Sequence, residues 1–281
     1  MINDPIQENS PSGIPLGRQI AHSETYDPSQ LFCVARKDAR KTLGINTELP
    51  FFGVDIWNAY ELSWLDQKGK PCVAMGEIMF SSTGENIIES KSLKLYLNSF
   101  NFTRFESTDK VKETIIRDLS GATVGDVAVN IFVPRDFAML DIKAPRGICI
   151  DLIEIKDDID QYTLDPSYLK TDSAGVEETL FSNLLRTNCP VTGQPDWATV
   201  KIDYKGNAMD HEGLLRYIIS LRQHQGFHEN CVELIFMDIL HQCAPDFLSV
   251  QARFTRRGGL DINPCRSSHE IPFSNIRLAR Q

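Results

Sequence analysis

Read by the spacing of its apolar positions, the chain falls into two halves of similar order. Residues 1–45 keep no sustained period and read as an arm. Over residues 51–65 aromatic and branched side chains crowd together, as in a strand. Lys68-Gly-Lys-Pro71 reads as a turn into a second strand over residues 73–80. The period then lengthens. Leu93, Leu97 and Phe100 share one stripe of a helix predicted over residues 90–100, with Ser90 and Ser92 available as caps. A second helix carries Val111, Ile115 and Leu119, with Thr108 as its cap and Gly121 as its stop. Residues 127–133 and 147–155 read as two further strands.

The acidic stretch from Asp157 to Asp165 marks a linker, and beyond it the order repeats. Strands are predicted over residues 180–186 and 197–204, with Lys205-Gly-Asn207 as an exit turn. Asp210 can cap a helix carrying Leu214, Leu215, Ile218 and Leu221. Residues 228–243 form another, apolar at 232, 235, 236, 239, 240 and 243, the stripe of a helix packed on a sheet. Strands over residues 247–255 and 271–278 close the set. Each half thus reads strand, strand, helix, helix, strand, strand. That order predicts an α+β fold of two tandem antiparallel sheets, each with a helix pair on one face. The partition is an arm over 1–45, a first module over 46–156, a linker over 157–175 and a second module over 176–281.

Composition narrows the function. The length of 281 residues suits two domains at about 150 residues each. The chain carries 29 Lys and Arg against 38 Asp and Glu, a net charge of −9. Gripping a long stretch of nucleic acid needs a basic stripe, which so acidic a chain does not supply. Local basic clusters can still serve one small anion. No apolar run approaches the ~18–20 residues that span a bilayer. Residues 1–18 are polar, with Pro5, Pro11 and Pro15, so a cytoplasmic location is expected. Seven scattered cysteines, none in a Cys-x-x-Cys pair, suit free thiols in a reducing compartment. Cys72 and Cys149 lie in apolar runs and read as small buried hydrophobes.

Four clusters offer chemistry. In Asn188-Cys-Pro-Val-Thr-Gly-Gln-Pro-Asp-Trp197, Pro190, Gly193 and Pro195 force a turn, which puts Cys189 on a rigid loop with Asp196 close behind. Composition alone favours the plainer account of a loop thiol beside a capping aspartate. His228 and Glu229 open a helix, where a carboxylate and first-turn N–H groups can address a ligand, or simply cap it. Lys91 and Lys94, beside Ser90, could cradle a phosphate at a helix start. In Arg253-Phe-Thr-Arg-Arg-Gly-Gly259, alternation puts Arg253, Thr255 and Arg257 on one strand face, and Gly258 permits close approach to the backbone. Zinc held by His228, Cys231, His241 and Cys243 fails on geometry. A helix would set the two histidines ~20 Å apart, too far for one ion, so no metal is expected. Neither Gly-x-Gly-x-x-Gly nor a P-loop occurs.

Taken together, these segments resemble the NADPH-dependent 7-cyano-7-deazaguanine reductases in their tandem form. The resemblance rests on Glu89-Ser-Lys-Ser-Leu-Lys-Leu-Tyr96, Glu61-Leu-Ser-Trp-Leu65, Asn188-Cys189, Gln194-Pro-Asp-Trp197, Phe227-His-Glu229 and the run from Thr255 to Pro264. It extends from about residue 47 to the end of the sequence. It implies the tunnelling fold, duplicated in one chain, and reduction of a nitrile to a primary amine with two NADPH. The product would be a precursor of the queuosine base of tRNA. Carried over residue by residue, it implies Cys189 as nucleophile and Asp196 as proton carrier. Ile88, Glu89, Ser90, His228 and Glu229 would bind the base, and Ser90, Lys91, Arg257 and Gly258 the NADPH. A homodimer with no membrane or nucleic-acid partner is also expected. Two other readings stand beside it: a zinc-dependent pterin-type cyclohydrolase of the same fold, and a non-catalytic purine-binding module.

Overall fold

The computed structural model describes residues 25–46 and 48–281. In the first half, β1 (Cys33–Ala35) leads into the short helix α1 (Arg36–Thr42). The long hairpin β2 (Phe52–Leu65) and β3 (Pro71–Ser81) follows, then β4 (Asn86–Ile88), α2 (Ser90–Asn98), α3 (Thr108–Thr123) and β5 (Val127–Phe132). A two-residue strand, β6 (Ile148–Cys149), precedes the second half. That half runs β7 (Thr171–Asn188), β8 (Pro195–Met209), α4 (His211–Ser220), α5 (His228–Cys243), β9 (Phe247–Phe254) and β10 (Leu260–Ser267).

The α+β architecture expected from the pattern is present, and the sheets of the two halves join edge to edge. One eight-stranded sheet has the order β5-β3-β2-β10-β9-β8-β7-β6. The strand at the seam is β10. It pairs antiparallel with β2 from Leu260↔Ala59 to Ser267↔Phe52, and with β9 through residues 265–267. The helix pairs cover one face. In the first half Trp57 and Ile78 meet Leu93, Tyr96, Phe100, Val111, Ile115 and Leu119. In the second, Val200, Val250 and Ala252 meet Leu214, Ile218, Val232, Ile235, Phe236 and Ile239. Leu260 and Ile262 of β10 pack into the first cluster, although the sequence places them in the second half. Among the described residues, no helix is long and apolar enough to cross a membrane.

Several local expectations need correction. Within the predicted arm, β1 pairs with β4 and α1 follows at once; residues 1–24 of that arm lie outside the described residues. The helix α1 shows no apolar stripe because it buries Arg36 and Arg40 instead. The cap of α2 is Glu89, whose carboxylate accepts from the N–H groups of Lys91 and Ser92. The cap of α3 is Ser107, and that helix passes Gly121 to end at left-handed Val124, φ +50°. Residues 205–207 continue β8 rather than turning, paired with residues 175–177 of β7. The strand expected over 147–155 shrinks to β6, leaving Cys149 half-buried, and Cys72 is half-buried too. Residues 271–278 form no strand; they lie against the face of the sheet opposite the helices through side-chain bonds, as from Asn275 to Asn58 (2.7 Å) and Arg253 to Asn275 (2.9 Å).

Candidate active site

The β7–β8 connection builds the first wall. The Cys189 N–H donates to the Gln194 carbonyl (2.8 Å), and the Cys189 carbonyl accepts from the Gly193 N–H (3.0 Å). Gly193 closes this turn at φ +66°, a conformation that side chains rarely tolerate. Cys189 is 3% exposed, and Asp196, the second residue of β8, is 4% exposed. Asp196 holds two partners close. The Arg257 Nε lies 3.2 Å from its Oδ1, and the His228 Nε2 lies 3.2 Å from its Oδ2. The second contact is close but not aligned as a hydrogen bond, since both His228 nitrogens lack a partner among the described residues.

The first turn of α5 builds the second wall. His228 stacks on Phe254 at 3.7 Å between ring centroids, with the planes 3° apart. Burial lowers its pKa, against the attraction of Asp196. Glu229 is 2% exposed. Burial raises its carboxyl to about 7, the Asp55 carboxylate adds to the rise, and Arg36 and Arg266 oppose it. Glu89 faces this wall from the start of α2, 1% exposed, with both oxygens already accepting backbone N–H groups at 2.9 Å.

One pocket gathers these groups. Ile88, Glu89, Ser90, Cys189, Asp196, His228, Glu229 and Arg257 all line it. A cleft of about 200 Å³ adjoins it, lined by Ser90, Lys91, Lys94, Thr192, Gln194, Arg257, Gly258 and Leu260. Ser90 and Arg257 belong to both. Every residue singled out for catalysis, base or cofactor therefore lies in one of two touching cavities, fed by both halves of the chain. Lys94 pairs with Glu61. Gly258 sits at φ +58° with open space where a Cβ would stand, so a ligand can reach its backbone. Arg253 does not share this site. Its side chain lies on the face of the sheet opposite the helices, where it bonds Asn275, because β9 ends at Phe254.

Apart from Ile88, sequence reasoning gave no site role to the apolar side chains of the pocket: Trp57, Val191, Phe227 and Ile262. Trp57 and Ile262 sit inside ordinary strand patterns, and nothing in such a pattern separates a pocket wall from a core contact. A larger cleft, about 790 Å³, opens beside α1 against Lys37, Lys41 and Asn46, and neither Cys189 nor Asp196 reaches it. The chemistry therefore marks the smaller pocket. Cys231, Cys243 and Cys265 are buried thiols pushed up by burial to about 12, 11 and 11 respectively. Among the described residues, no group of three or more His, Cys, Asp or Glu converges as a metal site would require.

Comparison with known proteins gives a consistent family. A family model described as "Nitrile reductase, 7-cyano-7-deazaguanine-reductase N-term" matches residues 22–131, and one described as "QueF-like protein" matches residues 195–272. A protein of Desulfotalea psychrophila named NADPH-dependent 7-cyano-7-deazaguanine reductase is 65% identical, covering 98% of this chain and 100% of its own length. One of the same name from Paraburkholderia phytofirmans is 53% identical, covering 97% and 100%.

Proposed function

Since the chain belongs to the 7-cyano-7-deazaguanine reductase family, we propose that it reduces the nitrile of 7-cyano-7-deazaguanine to a primary amine at the expense of two NADPH. The observation that carries this reading is the meeting of Cys189, Asp196 and Glu229 in one pocket, with a cationic, glycine-edged cleft against it.

A nitrile carbon is a weak electrophile towards hydride. Addition of the Cys189 sulfur forms a C–S bond and turns C≡N into C=N, giving a thioimide that accepts hydride more readily. The thiol proton ends on the nitrile nitrogen, and Asp196 is the group that carries it. Arg257, 3.2 Å away, holds Asp196 in place. The base lies against Trp57, with its adjacent N–H donors on the Glu229 carboxylate, a bidentate charge-assisted contact. The His228 ring offers a hydrogen-bond group to the base.

When bound, NADPH supplies the two hydrides. The residues that would hold it suit its chemistry, since Lys91 and Arg257 bring positive charge for phosphate and Gly258 leaves its backbone uncovered. The amine product, 7-aminomethyl-7-deazaguanine, serves as a precursor of the queuosine base of tRNA, so the substrate is a free base rather than a polynucleotide. The test is the loss of NADPH absorbance when 7-cyano-7-deazaguanine is added to the purified protein. Oxidation that depends on the nitrile and vanishes in Cys189→Ala supports the reading; none with the folded wild-type chain would refute it.

A further inference from the structure

Near Glu229 lies a buried cluster of charge that the proposed chemistry does not use. Asp55 of β2 accepts from Arg36 Nη2 (2.6 Å) and from Arg266 Nη1 (2.8 Å). Glu233 accepts from Arg266 Nη2 (2.8 Å) and from Arg40 Nη2 (2.7 Å). Arg266 of β10 is fully buried and Arg36 is 3% exposed. Three guanidinium groups thus meet two carboxylates, which leaves one positive charge in a water-poor interior. Glu229 is one helical turn before Glu233 on α5, so both carboxylates project from the same side of the helix. An ionised Glu229 brings the cluster to neutrality.

One member has capacity to spare. Arg36 Nε and Nη1 are buried and have no hydrogen-bond partner among the described residues, although Nη2 donates to Asp55. Leaving guanidinium N–H groups unpaired in the interior is costly, and the nearby carboxylate outside the cluster's own ion pairs is Glu229. We propose that Arg36 is a positioning residue for base recognition: its guanidinium supplies the charge that keeps Glu229 an ionised, oriented acceptor. The proposal rests on the reading of Glu229 as the base-binding carboxylate. It also gives α1 a role, since this helix lines neither cavity of the site yet places Arg36 near Glu229.

The charges around Glu229 come from several elements. Asp55 (β2) disfavours its ionisation, and Arg36 (α1) and Arg266 (β10) favour it; Glu233 stands one turn along α5. On the pocket side stand Glu89, Asp196, His228 and Arg257. The sign follows. With the carboxyl raised to about 7, the acceptor form is lost as pH falls through neutrality, and base affinity falls with it. Removing Arg36 raises the carboxyl further.

The experiment is calorimetric titration with 7-cyano-7-deazaguanine, without NADPH, from pH 5.5 to 9. Arg36→Gln should move the acid limb of base affinity upward by about one pH unit, a loss of about fivefold at pH 7 that approaches tenfold at lower pH. Affinity should recover towards pH 9. Arg36→Lys, which keeps the charge, should restore much of the limb. Asp55→Asn should move it the other way, and serves should Arg36→Gln not fold. A limb that stays put in both Arg36→Gln and Asp55→Asn, or a loss equal at every pH, overturns the role of Arg36. Failure of the underlying reading looks different: Glu229→Gln would then bind the base as tightly as wild type, with the limb intact.

Discussion

On the proposed reading, a single side chain at Arg257 serves two roles. Its Nε contacts Asp196 while the residue lines the adjoining cleft proposed for NADPH, so its removal should disturb proton transfer and NADPH binding together. Cys189 and Asp196 separate more cleanly. With nitrile base present and NADPH withheld, intact-protein mass spectrometry should show one covalent adduct, absent in Cys189→Ala. An adduct that survives this substitution removes Cys189 from the chemistry. Asp196→Asn should slow adduct formation by about 10²–10⁴-fold, the usual range for a general acid–base group, and weaken base binding far less. Stopped-flow rates against calorimetric affinities make that division. Arg257→Ala should raise the KM for NADPH and slow the adduct as well. Arg257→Lys should recover part of the first effect but less of the second, since a lysine lacks the Nε that contacts Asp196.

The elements that carry the site meet at the β2–β10 seam, and its tightest point is Gly53. A Cβ there would stand 2.6 Å from both the Cys265 carbonyl oxygen and Arg266 Cδ. Backbone cannot retreat without breaking the ladder that sets β10 against β2. Gly53→Ala should therefore cost about 1–3 kcal/mol, read from the denaturant midpoint at unchanged slope. A neutral result would mean that the seam yields. The same seam divides what was legible in the sequence from what was not. The helices α2 to α5 follow apolar stripes, and the Pro/Gly loop at Cys189 and the helix start at Glu229 carry local signals. Nothing local says that Leu260 and Ile262 pack with the first half, because strand pairing across some 200 residues leaves no periodic trace. The helix α1 hid for the opposite reason. Its buried positions are Arg36 and Arg40, which a hydropathy pattern reads as solvent-facing.

For the whole molecule, the buried ion cluster joins what the chain order separates. Arg36, Arg40 and Asp55 come from the first half, Glu233 and Arg266 from the second. With β10 shared by both sheets, neither half can open without exposing apolar residues and unpaired charge of the other. The two halves should therefore unfold as one unit, giving a single calorimetric transition whose van't Hoff and calorimetric enthalpies agree. Glu233→Gln leaves Arg40 and Arg266 without a full countercharge, a loss of about 3–5 kcal/mol for a broken buried pair. For a chain of this size that lowers Tm by roughly 5–15 °C. The shift should move the whole transition rather than split it. Acid should act through the same groups. Burial opposes their ionisation, but Arg266 with Arg36 holds Asp55 below the usual carboxylate range, and Arg266 with Arg40 does the same for Glu233. Depressed carboxyls contribute stability above their unfolded values, about 3.9 and 4.3, and lose it as pH falls through the folded ones. Wild-type stability should thus hold its cluster contribution to about pH 4 and fall steeply below, while Glu233→Gln should show a shallower acid limb. Two separate transitions, with only one displaced by Glu233→Gln, would show instead that the halves fold independently and that the seam carries no coupling.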